Sequence, residues 1–192
     1  MRVVDFDGTV YRGESLFDFY LFTARRYPKV LGCLAPVLRH AINYKLNRAS
    51  LDQLETSISA VGRRYLDILD SIPGTDISSM VGDYWDRNIH RIKSWYTPKP
   101  DDIVLTASFD IIVAEACRRL GVRTCIASQV DPVTHELEWL NFGDNKRKRL
   151  LQVLGADARV DEFYTDALYD QPMIDMAEHA FLIRGDKLTQ VK

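Results

Sequence analysis

The stretch Asp5-Phe6-Asp7-Gly8-Thr9 sets two carboxylates one residue apart, directly after the apolar pair Val3-Val4. On a chain just leaving a strand, two such groups can share one site. Buried together, their charges repel and raise each other's pKa unless a cation lies between them. Gly8 permits an unusual φ or a close backbone approach. Thr106-Ala107-Ser108 follows Ile103-Val104-Leu105 and offers hydroxyls and main-chain N–H groups at a helix start, which suits an anion. Read alone, Ser108 is simply the cap of that helix. Gly143-Asp144-Asn145-Lys146 opens a helix that continues Arg147-Lys148-Arg149. One lysine there can neutralise a phosphate or carboxylate, while the other cations form a solvated face. Lys146 stands nearest the helix start, and Lys148 is the alternative. Thr165-Asp166-Ala167-Leu168-Tyr169-Asp170 follows Phe163-Tyr164. Asp166 can complete an oxygen-rich site for Mg²⁺, a hard cation satisfied by one or two carboxylates plus water and phosphate oxygens. Asp170 can hold Lys146 or a metal-bound water.

These four stretches need a scaffold that brings them to one edge. From Thr97 to Lys192 short β-branched runs alternate with helical patterns. The runs predict strands at Ile103–Leu105, Val122–Ala127, Phe163–Thr165 and, last, Phe181–Ile183, with a hairpin or irregular pair over Asp131–Trp139. Helices are predicted over Ile111–Leu120, stopped by Gly121, over Asn145–Leu154, ending at Gly155, and over Met173–Ala177. Strand–helix alternation implies an α/β fold, a doubly wound and mostly parallel sheet with helices on both faces. Ligands of such sheets bind beyond the carboxyl ends of the strands.

Between Ser15 and Tyr96 the pattern is helical throughout. Pro28 suits a first turn, with Val30, Leu31, Leu34, Val37, Leu38 and Ile42 following at helical spacing. Ser50-Leu51-Asp52-Gln53 fits a capping box that starts a helix through Leu54, Ile58 and Val61. Pro73-Gly74 marks a turn, and Asp76–Trp95 reads as one more helix. The expected division is a core of residues 1–14 and 97–192 with residues 15–96 inserted as an α-helical cap.

Composition bounds the classes of function. The 192 residues carry 25 Lys+Arg against 27 Asp+Glu, a net charge of −2, with 46% apolar residues. Intrinsic disorder is excluded by the apolar content, and the near-neutral balance argues against a dedicated nucleic-acid binder. No apolar run approaches the ~18 residues of a membrane span, and Asp5 and Asp7 interrupt any signal-peptide core. Cys33, Cys117 and Cys125 are odd in number and lack CxxC spacing, which argues against a disulfide framework or zinc site and fits a reducing cytoplasm.

Each motif is weak in isolation, but their order and spacing are specific. The chain resembles the haloacid dehalogenase superfamily, within it the phosphoserine-phosphatase-like group with a helical cap after the first motif. Asp5-Phe6-Asp7-Gly8-Thr9-Val10 looks like the DxDGT(L/V) motif, Thr106 like the second-motif Ser/Thr, Lys146 like the third-motif Lys, and Asp166 with Asp170 like the acidic fourth motif. The resemblance covers essentially the whole chain. It implies a Mg²⁺-dependent phosphomonoester hydrolase with Asp5 as nucleophile and Asp7 as general acid and base. Mg²⁺ ligands would come from Asp5, Asp7 through its main-chain carbonyl, Asp166 and Asp170. Gly8, Thr9, Thr106, Ala107 and Lys146 would bind or brace around the phosphate. The alternatives are a phosphotransferase to an acceptor other than water and a catalytically silent module that binds a phospho-ligand.

Partner expectations come from the insertion. Residues 19–51 hold Arg25, Arg26, Lys29, Arg39, Lys45, Arg48 and His40 with no Asp or Glu, among Tyr20, Phe22, Tyr27, Leu31, Leu34, Leu38 and Tyr44. The plain reading is an amphipathic helix pair over the core. The sharper one is a basic, apolar surface for a phospholipid headgroup, a sugar phosphate or a peripheral membrane contact; the stretch also resembles the caps of phosphatidylglycerophosphate-phosphatase-type relatives.

Overall fold

The computed structural model describes residues 1–33 and 51–192. Among the described residues seven strands form one sheet: β1 (Arg2–Val4), β2 (Ile103–Phe109), β3 (Thr124–Val130), β4 (Leu137–Trp139), β5 (Glu162–Thr165), β6 (His179–Arg184) and β7 (Lys187–Gln190). Their order is β4-β3-β2-β1-β5-β6-β7. The central five run parallel, and β4 and β7 add antiparallel edges. Chain order reverses at β1, which pairs with β2 on one side and β5 on the other. That reversal opens a crevice beyond the carboxyl ends of the strands, where Asp5 leaves β1 and Asp166 leaves β5.

Side chains alternate across the sheet with period two. Val4 and Val104 join a large apolar cluster on one face, whereas Val3, Ile103, Leu105 and Phe163 join a second cluster on the other. Covering the first face are α1 (Ser15–Arg26), α2 (Leu51–Asp70), α3 (Ile77–Asn88) and α4 (Asp110–Leu120); the second is covered by α5 (Asp144–Leu154) and α6 (Gln171–Met176). The arrangement is therefore the doubly wound α/β fold that the alternating pattern predicts.

The inserted helices share one apolar cluster with the sheet. Trp85 on α3 is fully buried, its ring edge-on to Phe6 at 5.8 Å and to Tyr11 at 5.3 Å. Its indole N–H donates to the Ile112 carbonyl on α4 at 2.8 Å. Burying side chains of this size contributes on the order of 2–3 kcal/mol each, enough to dock α3 firmly. Gly121 ends α4 at φ +74, a left-handed position that glycine adopts without a Cβ penalty.

Several predicted boundaries shift. The run after Pro28 is a 3-10 helix over Pro28–Cys33, while its expected continuation through Leu34, Val37, Leu38 and Ile42, with Ser50 of the capping box, lies outside the described residues. So do Arg39, His40, Tyr44, Lys45 and Arg48 of the basic stretch. The helix expected over Asp76–Trp95 is capped by Asp76 but stops at Asn88, followed by a 3-10 turn at Ile89–Arg91. The chain must leave the helix there because Ile92 bridges Tyr11 and Lys93 N–H donates to the Val10 carbonyl at 2.8 Å. Strand β2 continues past Thr106 to Phe109, β3 runs Thr124–Val130 rather than Val122–Ala127, and β7 was not expected after Ile183. Its residues are all exposed, so no apolar alternation marks it; a turn at Gly185 pairs it to β6. Among the described residues no helix is long and apolar enough to cross a membrane.

Candidate active site

The loop after β1 is anchored at once: Asp5 N–H donates to the Tyr164 carbonyl of β5 at 2.9 Å. Val10 and Tyr11 N–H groups then both return to the Phe6 carbonyl, at 2.9 and 2.8 Å, curling the chain into a tight turn. Gly8 sits inside it at φ +67, and a Cβ there would collide with the Asp166 carboxylate. The glycine is thus required twice, for its backbone angle and for the approach of a carboxylate from β5.

Lys146, in the first turn of α5, is buried between two carboxylates. Its Nζ donates to Asp5 Oδ1 and to Asp170 Oδ2, both at 2.9 Å. Asp170 Oδ2 also accepts from the Thr165 hydroxyl at 2.8 Å. Burial disfavours the charged lysine, but attraction to Asp170 and Asp5 outweighs it and leaves the ammonium more basic than usual. Asp5 is pushed up to about 7 by burial, with Lys146 pulling it back and Asp170 pushing it further up. Lys148 instead lies at the surface, 3.2 Å from Asp144. Of the two lysines left open by the sequence, Lys146 is the one at Asp5.

Asp7 faces the other way. Its Oδ1 accepts from the Ser15 N–H at 2.7 Å and its Oδ2 from the Ser15 hydroxyl at 3.0 Å. Burial raises its pKa well above the ordinary carboxyl range, partly offset by the bond from the Ser15 N–H. Burial thereby shifts Asp7 toward the neutral acid, the form a general acid needs. Ser15 in turn meets Ser108, their hydroxyls 2.8 Å apart.

Thr106 is buried at the carboxyl side of β2, and its Oγ1 accepts from the Ser108 N–H at 3.2 Å. Ser108 does not cap α4; Phe109 holds that position without a side-chain bond. Thr9 reaches Asp166 weakly, its hydroxyl 3.5 Å from Oδ1. Asp166 is raised by burial and drawn down mainly by the Lys93 charge.

The Asp7 carboxylate is held by Ser15, and that of Asp170 by Lys146 and Thr165. Among the described residues no three His, Cys, Asp or Glu side chains group to hold a metal. Asp5 and Asp166 are both raised by burial and by neighbouring negative charge. Two carboxylates, Asp5 buried and Asp166 half-buried, brought to one glycine-lined loop fit a hard divalent cation, which takes one or two carboxylates and fills its other positions with oxygen ligands such as water.

Four further residues carry the site without a signal in the motifs. Lys93 is buried and donates to the Gly8 carbonyl. Trp95 Nε1 donates to the Thr9 carbonyl at 3.0 Å, so the chain returning from the insertion braces the acidic loop. Ser15 could have been suspected from its place at a helix start. Asn141, fully buried beside Thr106, could not.

The sequence profile of the haloacid dehalogenase-like hydrolases matches residues 3–175, which is most of the chain. The chain belongs to this family. In sequence, no curated protein matches it. A haloacid dehalogenase-like hydrolase of this arrangement has fold neighbours among solved structures. A protein of unknown function from Bordetella pertussis Tohama I superposes with a TM-score of 0.66 at 15% identity, over 91% of this chain and 85% of that one. A phosphoserine phosphohydrolase-like protein from Francisella tularensis subsp. tularensis SCHU S4 gives 0.59 at 12% identity, over 94% and 86%. A HAD family hydrolase from Salmonella enterica subsp. enterica serovar Typhi gives 0.55 at 14%, over 91% and 59%. At these identities the likeness is one of fold.

Proposed function

We propose that this haloacid dehalogenase-like hydrolase is a Mg²⁺-dependent phosphomonoesterase that works through an aspartyl-phosphate on Asp5. The observation that carries the reading is the buried Lys146 ammonium against Asp5 and Asp170, at the strand edge where Asp166 closes on Gly8. Asp5, Asp166 and the Asp7 main-chain carbonyl would hold the metal, which when bound neutralises phosphate oxygens and keeps Asp5 ionised. Asp5 attacks phosphorus in line; the P–O bond to the alcohol breaks, and the leaving oxygen takes the proton of Asp7. Asp7, now a carboxylate, removes a proton from water as that water attacks the phosphoaspartate; this frees Asp5, and inorganic phosphate leaves. Thr106 and Lys146 donate to the equatorial oxygens, where charge accumulates.

The substrate in this reading is a small phosphate ester, with residues 15–96 forming the cap over a core of residues 1–14 and 97–192. Exposed Arg25 in the last turn of α1 and exposed Lys29 in the 3-10 helix that follows support a second anionic group on it, as in a sugar phosphate or phospholipid headgroup. Hydrolysis of p-nitrophenyl phosphate with Mg²⁺ tests the proposal. Asp5→Asn should retain the fold by circular dichroism and lose at least about a thousandfold in kcat; substantial residual turnover removes Asp5 as nucleophile.

A further inference from the structure

Strand β2 does not run regularly beside β3. Leu105 pairs with Ile126 and Phe109 with Ser128, so four steps along β2 are matched by only two along β3. The excess falls on Thr106, Ala107 and Ser108. A bulge of this kind breaks the ladder locally and leaves carbonyls needing other donors. Two side chains supply them. The Ser128 hydroxyl donates to the Ala107 carbonyl at 2.7 Å, and Asn141 Nδ2 donates to the carbonyls of Thr106 at 2.9 Å and Ile126 at 3.0 Å. Asn141 N–H closes the set by donating to Ser128 Oγ at 2.9 Å. Both residues are fully buried. The amide orientation is forced, because two carbonyls face Nδ2 and Oδ1 finds no donor among the described residues.

We propose that Asn141 and Ser128 are positioning residues, a strap that holds the Thr106 bulge in its phosphate-binding shape and sets its distance from Lys146. Asn141 follows β4 and lies five residues before Lys146, on the segment that carries the lysine into the site. That segment is fastened again where Asn145 Nδ2 donates to the Leu140 carbonyl at 3.1 Å. The antiparallel β3–β4 return thus joins two anion-binding groups that belong to different elements. Neither strap residue touches the reacting atoms; each acts through the main chain of Thr106 and Ala107. The inference rests on the reading of Thr106 and Lys146 as phosphate donors.

The test compares Ser128→Ala and Asn141→Ala with Val113→Ala, a buried α4 position outside the strap chosen to lower Tm. Two readouts are taken. One is the inhibition constant of inorganic phosphate against p-nitrophenyl phosphate hydrolysis. The other is hydrogen exchange at the Ser108 amide, measured by NMR. The strap variants should weaken phosphate about tenfold, the scale of one lost buried hydrogen bond, and speed Ser108 exchange by a similar factor. Val113→Ala should lower Tm and leave both unchanged. Wild-type phosphate inhibition and exchange in the strap variants, or equal changes in Val113→Ala, would overturn the strap. If the wild-type enzyme shows no hydrolysis, the phosphatase reading fails instead. Exchange at Ser108 then decides the strap alone: faster in the two variants supports it, unchanged defeats it.

Discussion

The two acidic residues of the first motif, two positions apart, occupy opposite electrostatic settings. Asp5 shares an ammonium with Asp170, whereas Asp7 is held by the N–H and hydroxyl of Ser15. Environments that separate the behaviour of neighbouring carboxyl groups are how one acts as nucleophile and another as acid. A sharp expectation follows for Asp7→Asn. An alkyl phosphate needs its leaving oxygen protonated, and turnover should fall about 10²–10⁴-fold. p-Nitrophenolate leaves unaided, so the first step on p-nitrophenyl phosphate should suffer far less. Burst-phase measurement of phenolate release against alkyl phosphate turnover checks this; equal losses on both substrates would reject Asp7 as the acid.

At the scale of elements, the insertion serves the site at its exit. The chain leaving α3 pairs Ile92 with Tyr11, then sends Lys93 to Gly8 and Trp95 to Thr9. Docking of α3 therefore bears on the acidic loop. That helix begins at Asp76, whose Oδ2 accepts from the Ser79 N–H at 2.8 Å. Asp76→Ala removes this cap and should cost about 1 kcal/mol by urea denaturation. The change should leave kcat nearly intact, since α3 is held chiefly by buried rings such as Trp85 and Tyr84. A loss well beyond 2 kcal/mol would mean that the cap, rather than packing, holds α3 in place.

For the whole molecule, the site is a concentration of acidic groups withdrawn from water, a setting that favours their protonated form. Burial raises Asp5, to about 7, and also Asp7 and Asp166. Each folded value exceeds the ordinary ~3.9 of an unfolded Asp, so between those limits the folded state binds more protons. The stability this contributes is complete below about pH 4 and is lost as pH rises, for Asp5 through about 7. In EDTA, the Tm should fall from about pH 5 to about pH 8, and Asp5→Asn should flatten part of that slope. Mg²⁺ should raise Tm more at the higher pH, where the carboxylates are free to bind it. Scanning calorimetry across this range decides; a Tm that rises with pH in EDTA would contradict the buried-acid account.

Much of this was legible before any coordinates. Short apolar, β-branched runs, helix stops at Gly121 and Gly155 and the order of the acidic, hydroxyl, lysine and acidic motifs are local properties, and local sterics and hydrophobic burial specify α/β alternation and Asp5 at a strand end. What the chain order cannot express is which groups end up facing one another. That Lys146 rather than Lys148 meets Asp5, that Asp7 turns to Ser15, that Lys93 and Trp95 return to brace the first loop, and that Asn141 supplies donors to the Thr106 bulge all join residues far apart in sequence. Such pairings depend on register, on a bulge in β2 and on packing of the insertion. Only the assembled sheet, with its crevice at β1, decides them, because hydrogen bonds between distant segments are selected by the geometry of the finished core.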